Sequence, residues 1–174
     1  MDITDVILND HHDQRRMFAI LEEMRGAAPV DLAAVWDRLQ ILLEVHAKAE
    51  EELFYPELLA LGTGEGGKDS PEDETTDAIH DHNEIRDAIA DVGRHDAGSD
   101  EWWAAVAKVN EANSEHMGEE EREGLTDFRL NADLDLRHKL AVSFYAFEAA
   151  HAGGIKARDV DPDEYVEQNE PGSK

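Results

Sequence analysis

His46-x-x-x-Glu50 and His116-x-x-x-Glu120 are the same dyad written twice, seventy residues apart. Each lies inside a stretch that reads as a helix, and an i,i+4 pair on a helix points both side chains the same way. Each dyad therefore offers an imidazole nitrogen and a carboxylate to one point in space. Two such pairs facing each other describe a two-metal site. One His-x-x-x-Glu alone is most often a solvated surface pair; two of them, with His11 and His82 at the same level, reverse that reading.

The elements that must position these residues are set off by breakers. Val6, Ile7, Met17, Phe18, Ile20, Leu21 and Met24 predict a first helix over 2–25, closed by Gly26 and Pro29. A second runs over 31–61, from Leu32, Val35 and Trp36 to Leu58, and Pro56 is expected to bend its last turns. The stretch GTGEGGK at 62–68 reads as a flexible loop. Ser70-Pro71-Glu72-Asp73 then opens a third helix in the manner of a capping box, running to about His95. Gly98-Ser99-Asp100-Glu101 starts a fourth, which carries Trp102, Trp103, Val106, Val109 and the second dyad before fading near Asp127. A fifth apolar segment spans 134–151, and no β pattern is visible. Short connections between the first and second and between the third and fourth helices predict an all-α, up-down-up-down four-helix bundle with an appended C-terminal helix. The helical domain is expected over 1–153, with its core in 1–130 and the fifth helix in 131–153; an acidic, mobile or loosely docked tail follows over 154–174.

Counting residues tests whether such a bundle brings the histidines to one level. At about 1.5 Å of rise per residue, His11 lies about 21 Å above the end of the first helix and His46 about 22 Å above the start of the second. Glu50 is about 16 Å from the end of the second, and His82 about 18 Å from the start of the third. His82 and His116 match to within the uncertainty of the helix ends. Four helices thus put their histidines in one slab.

Composition narrows the chemistry. The chain has 174 residues, enough for one domain with a core. Forty-two acidic against sixteen basic residues give a net charge of −26, which argues against nucleic acid or an anionic membrane as partner. Without cysteine, thiolate metal sites and disulfides are excluded, so a metal must be held by His, Asp, Glu, Tyr or backbone. The amino terminus shows no basic start followed by an apolar run, and no stretch approaches a membrane span. A soluble cytoplasmic protein is expected, as a monomer or weak homodimer.

The order His, His-x-x-x-Glu, His, His-x-x-x-Glu on successive helices resembles the hemerythrin family, in particular the bacterial hemerythrin-like proteins of the HHE cation-binding type. The resemblance covers roughly residues 5–130, through DHHDQRRMF, HAKAEEELFYP, DHNEIRDAI and HMGEEE. It implies a non-haem di-iron centre, two Fe ions bridged by carboxylates and an oxo or hydroxo group. The ligands implied are His11, His46, Glu50, His82, His116 and Glu120, with each glutamate bridging and two histidines on each iron. Imidazole and carboxylate suit iron; zinc or manganese would also bind. In one position the sequence departs from the oxygen carriers, which have His-x-x-x-His on the third helix: here His82 is followed by Arg86, which has no lone pair to offer. An open or differently completed iron is implied.

Tyr55 and His12 are further candidate ligands. A phenolate suits Fe(III), but position five after Glu50 is off the dyad face of a regular helix, so Tyr55 is either a ligand or an outer-shell group. His12 lies about 100° from His11 and is expected on the surface or in the outer shell. His80, His95, His138 and His151 read as surface or packing residues, His151 with a capping role. Among Glu51, Glu52, Glu119 and Glu121 one is a candidate acceptor for a ligand N–H. Trp102 and Trp103, in tandem, cannot both face one core, so one is expected to meet the fifth helix or a partner subunit. Arg86 either orients a peroxide or, the better expectation, pairs with a carboxylate. Three functions follow: a catalase-like enzyme decomposing hydrogen peroxide at an open iron; a module that binds or senses O2, NO or iron without turnover; and an iron store, for which two ions are too few. The first is preferred.

Overall fold

The computed structural model describes residues 1–64 and 70–171. Among them the chain forms α1 (Ile3–Glu23), α2 (Pro29–Ala49), a π-helical turn Glu50–Phe54, α3 (Tyr55–Leu61), α4 (Pro71–Val92), α5 (Asp100–Arg122), α6 (Gly124–Asn131), α7 (Leu134–Ala150) and α8 (Pro162–Asn169), with no strand. Of the glycine-rich loop expected at 62–68, residues 65–68 lie outside the described residues.

Side chains written into the sequence start these helices. Asp2, Ser99, Asp133 and Asp161 each accept a backbone N–H of the first turn of α1, α5, α7 and α8. Ser70 and Asp73 form the reciprocal capping box of α4, with Pro71 at its first position. Pro29, expected to close the first helix, instead opens the second.

The apolar residues gather into two clusters. One holds Ile3, Ile7, Phe54, Leu58, Ile79, Phe128 and Phe144; the other holds Phe18, Leu21, Leu32, Trp36, Leu39, Ile89, Trp102 and Val109. Between them lies a buried polar layer: His11 and Gln14 from α1, His46 and Glu50 where α2 ends, His82 and Arg86 from α4, and Asn113, His116 and Glu120 from α5. α1, α2 and α4 contribute apolar residues to both clusters, and α5 contributes to the second and leads into α6, which contributes to the first. Every ligand-type side chain is thereby held at one depth by apolar contacts above and below it.

Four further expectations need correction. The second helix, expected to run to 61 with a bend at Pro56, is interrupted by a π-helical turn just before that residue; Pro56 itself stands in the first turn of α3, where a missing N–H is tolerated. The fourth helix does not fade gradually, because it breaks at Glu123 and restarts as α6. At Gly124 an added Cβ would lie 2.4 Å from Glu74 Oε1, so any other residue here would oblige the Glu74 carboxylate to move. Trp102 and Trp103 are both buried in the second cluster: Trp102 meets Trp36 edge-on at 6.2 Å, and Trp103 lies 4.2 Å from the Arg25 guanidinium beyond α1. The segment 162–169, expected to be loosely docked, is a helix whose Tyr165 and Val166 are buried and which packs on α4. No helix among the described residues is long and apolar enough to cross a membrane.

Candidate metal centre

α1 buries His11 completely, and α2 delivers His46 and Glu50 one helical turn apart on its inner face. His46 Nε2 lies 2.8 Å from Glu50 Oε1, and His11 Nε2 lies 3.9 Å from the same oxygen and 3.3 Å from Glu120 Oε2. On the other side, His82 Nε2 is 3.4 Å from Glu50 Oε2 and 3.1 Å from His116 Nε2. The ligand atoms of His11, His46 and Glu50 all lie within 4.8 Å of one another, and so do those of Glu50, His82 and His116. Glu50 is common to both groups and turns one oxygen to each. All six residues singled out by the dyads and the two lone histidines are therefore brought together. His12 is not; it is exposed on the outer side of α1.

The Nδ1 atoms follow a rule of their own. His46 Nδ1 donates to Asp10 of α1 (3.3 Å), His82 Nδ1 to Glu51 of the π-helical turn (3.1 Å) and His11 Nδ1 to Glu121 of α5 (2.9 Å), while His116 Nδ1 lies 3.5 Å from Asp81 of α4. Each segment supplies the acceptor for the next one's histidine, and the ring closes from α5 back to α1. An ionised carboxylate only accepts, so these contacts keep the Nδ1 protons outward and direct the Nε2 lone pairs into the layer. Sequence reasoning had admitted one of the flanking glutamates to this role. Two fill it, and Asp10 and Asp81 were missed. Their signal was present, since an Asp-His step occurs at 10–11 and again at 81–82, and a Glu-Glu step ends both dyads.

Tyr55 reaches the layer because of the π-helical turn. A wider turn carries residue i+5 back to the face of residue i, and such turns recur at functional sites. The Tyr55 hydroxyl donates to Glu120 Oε1 (2.8 Å), and burial together with Glu120 and Glu50 raises this phenol well above its ordinary value. It stands here as a hydrogen-bond donor to a ligand-type carboxylate. Arg86 donates to Glu51 Oε1 and, at 3.1 Å, to Asn83 Oδ1. Its hydrogen bonds go to these two residues and not to the Nε2 atoms.

Several buried polar atoms are left without a hydrogen bond: His11 Nε2, His46 Nε2, both oxygens of Glu50 and Glu120 Oε2. Such groups cost free energy unless something polar meets them, and a cation between them would meet all at once. Burial is the largest influence on His82 and pulls it down, but Glu50 and Glu51 outweigh it and raise the imidazole to about 9. Burial likewise lowers His46, while Glu50 and Asp10 lift it well above its ordinary value. Burial would raise Glu50, yet His46 and His82 hold it well below the carboxylate range. Glu51 is pushed up by burial and brought down to about 2 by His82 and Arg86. The layer attracts positive charge, and in the metal-free chain protons supply it.

This has a consequence for stability. A histidine raised in the folded state stabilises fully below its unfolded value of 6.5, and the contribution is lost as pH rises through about 9. We expect the chelator-treated chain to lose on the order of 3 kcal/mol between about pH 6.5 and about pH 10 on account of His82. Denaturant titration at both values checks this, and the loss should shrink in His82→Gln. An equal loss in that variant would contradict the assignment.

Fold and cluster together define a helical metal-binding protein. The chain belongs to the hemerythrin HHE cation-binding domain family, whose family model matches residues 2–125 and so takes in all six clustered residues. Such domains bind metal ions, typically iron. Neither the curated proteins nor the solved structures contain a match.

Proposed function

We propose that the chain is an up-down-up-down four-helix bundle holding two iron ions, and that it decomposes hydrogen peroxide, two molecules giving one O2 and two waters. The single observation that carries the dinuclear reading is Glu50: it is fully buried, forms no hydrogen bond at either oxygen, and faces two histidines with one oxygen and a third histidine with the other. His11 and His46 would hold one ion, His82 and His116 the other, with Glu50 and Glu120 between them. Two irons, when bound, supply two-electron redox chemistry toward a peroxide. The chain's own contribution is positioning. Carboxylates orient three imidazoles through Nδ1 hydrogen bonds and Asp81 lies 3.5 Å from the Nδ1 of the fourth, Tyr55 keeps a proton beside Glu120, and Arg86, committed to Glu51, adds no ligand on α4. The last point supports a coordination position left for a small molecule at the His82 side.

Binding or sensing of O2 or NO without turnover is a second reading, favoured by one observation. Tyr165 of α8 donates to the Glu51 carbonyl, and Asn83 exchanges two hydrogen bonds with Val160, at 2.7 and 3.1 Å. The C-terminal segment is thereby tied to the residues behind His82. The deciding experiment measures metal content and the ultraviolet–visible spectrum, then records O2 after peroxide is added to the same sample. Two irons per chain with sustained O2 release support the enzyme; irons without release favour the binding reading; a chain that takes up no metal overturns both.

A further inference from the structure

A cavity of about 140 Å3 opens beside α4 and α5 and ends on the cluster. Its charged lining is graded. Asp77 and Glu119 are exposed at the outside, Asp81 and Glu123 are half-buried behind them, and His116 and Glu120 form the floor. No lysine or arginine is among the lining residues. Glu120 is only 4 % exposed, and its Oε2 makes no hydrogen bond. The series of carboxylates thus leads to a buried oxygen that makes no hydrogen bond and faces the candidate ligand His11 Nε2 at 3.3 Å.

We propose that this cavity is the route by which divalent cations enter, with Asp77, Glu119 and Glu123 as transient oxygen ligands on the way to Glu120 and His116. The proposal rests on the dinuclear reading above and deepens it. A hydrated cation gives up water in steps, and oxygen ligands spaced along the path replace that water before imidazole binds. A cleft of one sign also focuses field lines and raises the local concentration of counter-ions. Anions are repelled from the same passage, whereas neutral O2 and hydrogen peroxide are not.

A charge of −26 attracts cations everywhere, so the test must separate local from overall charge. Uptake of Co(II) by the metal-free full chain is followed by its visible absorption after rapid mixing at low ionic strength. The variant Asp77→Asn/Glu119→Gln/Glu123→Gln is compared with Asp31→Asn/Asp37→Asn/Glu111→Gln, which removes equal charge at exposed positions away from the cavity. We expect the first to take up cobalt about tenfold more slowly than the second, with the same final content and a difference that vanishes in high salt. Equal rates in the two variants, with normal cobalt content, overturn the passage alone. A parent chain that binds no cobalt overturns the centre together with the passage.

Discussion

Replacing Glu50 by alanine is expected to remove metal binding and to weaken the metal-free fold at the same time. Glu50 is the one residue shared by the two groups of candidate ligands, so its loss takes an anion from both halves at once. Two cations close together need an anionic bridge to offset their repulsion, and Glu120 alone would have to serve. The metal-free chain fares no better, because His46 and His82 stay buried and lose the carboxylate that most offsets the burial of their charged forms. Removing one member of a buried ion pair typically costs about 3–5 kcal/mol. Metal analysis and denaturant unfolding would read the two effects separately. Glu52→Ala, an exposed neighbour on the same turn, should show neither. Full retention of two ions by Glu50→Ala would remove the bridging role.

How much of this was legible in the sequence depends on the periodicity each feature obeys. The helical dyads, the capping box at Ser70 and the common level of four histidines all follow from regular helix geometry, and the structure brings those residues together. Tyr55 breaks that rule. Its approach to Glu120 depends on a π-helical turn, which leaves no periodic trace in five residues reading Glu-Glu-Glu-Leu-Phe, so a regular helix turned it to the wrong face. The Nδ1 acceptors escaped for a different reason. Asp10 and Asp81 stand next to histidines in sequence, yet each serves the histidine of the following segment. An aspartate one residue before an inward histidine is rotated by about 100° and therefore faces the adjacent helix. The repeated steps Asp-His and His-x-x-x-Glu-Glu encode the closed ring once that rotation is considered. Docking of α8 was hidden by composition: the surrounding acidic residues read as a solvated tail, and two residues, Tyr165 and Val166, carry the buried contact.

The ring of acceptors also explains why Arg86 has consequences beyond its own position. Glu51 is buried, yet it accepts from both His82 and Arg86, with Lys48 3.3 Å away at its other oxygen. The guanidinium thus offsets the charge of a carboxylate that in turn orients a ligand-type imidazole. Arg86→His would place an imidazole four residues after His82, on the same face of α4, and restore the pattern of the oxygen carriers that this sequence resembles. We expect this variant to lose about tenfold or more in peroxide turnover, the size of effect seen when an outer-shell partner of a metal ligand is removed. An O2 complex of the reduced protein should persist long enough to be recorded by its visible spectrum. Arg86→Lys separates the two causes: it retains a positive charge near Glu51 but supplies no ligand, so it should keep most of the turnover and gain no stable O2 complex. If Arg86→His left turnover unchanged and its spectrum under O2 matched the parent's, the open position would not lie beside His82. In that event the reading without turnover, with α8 tied behind the site, would become the stronger one.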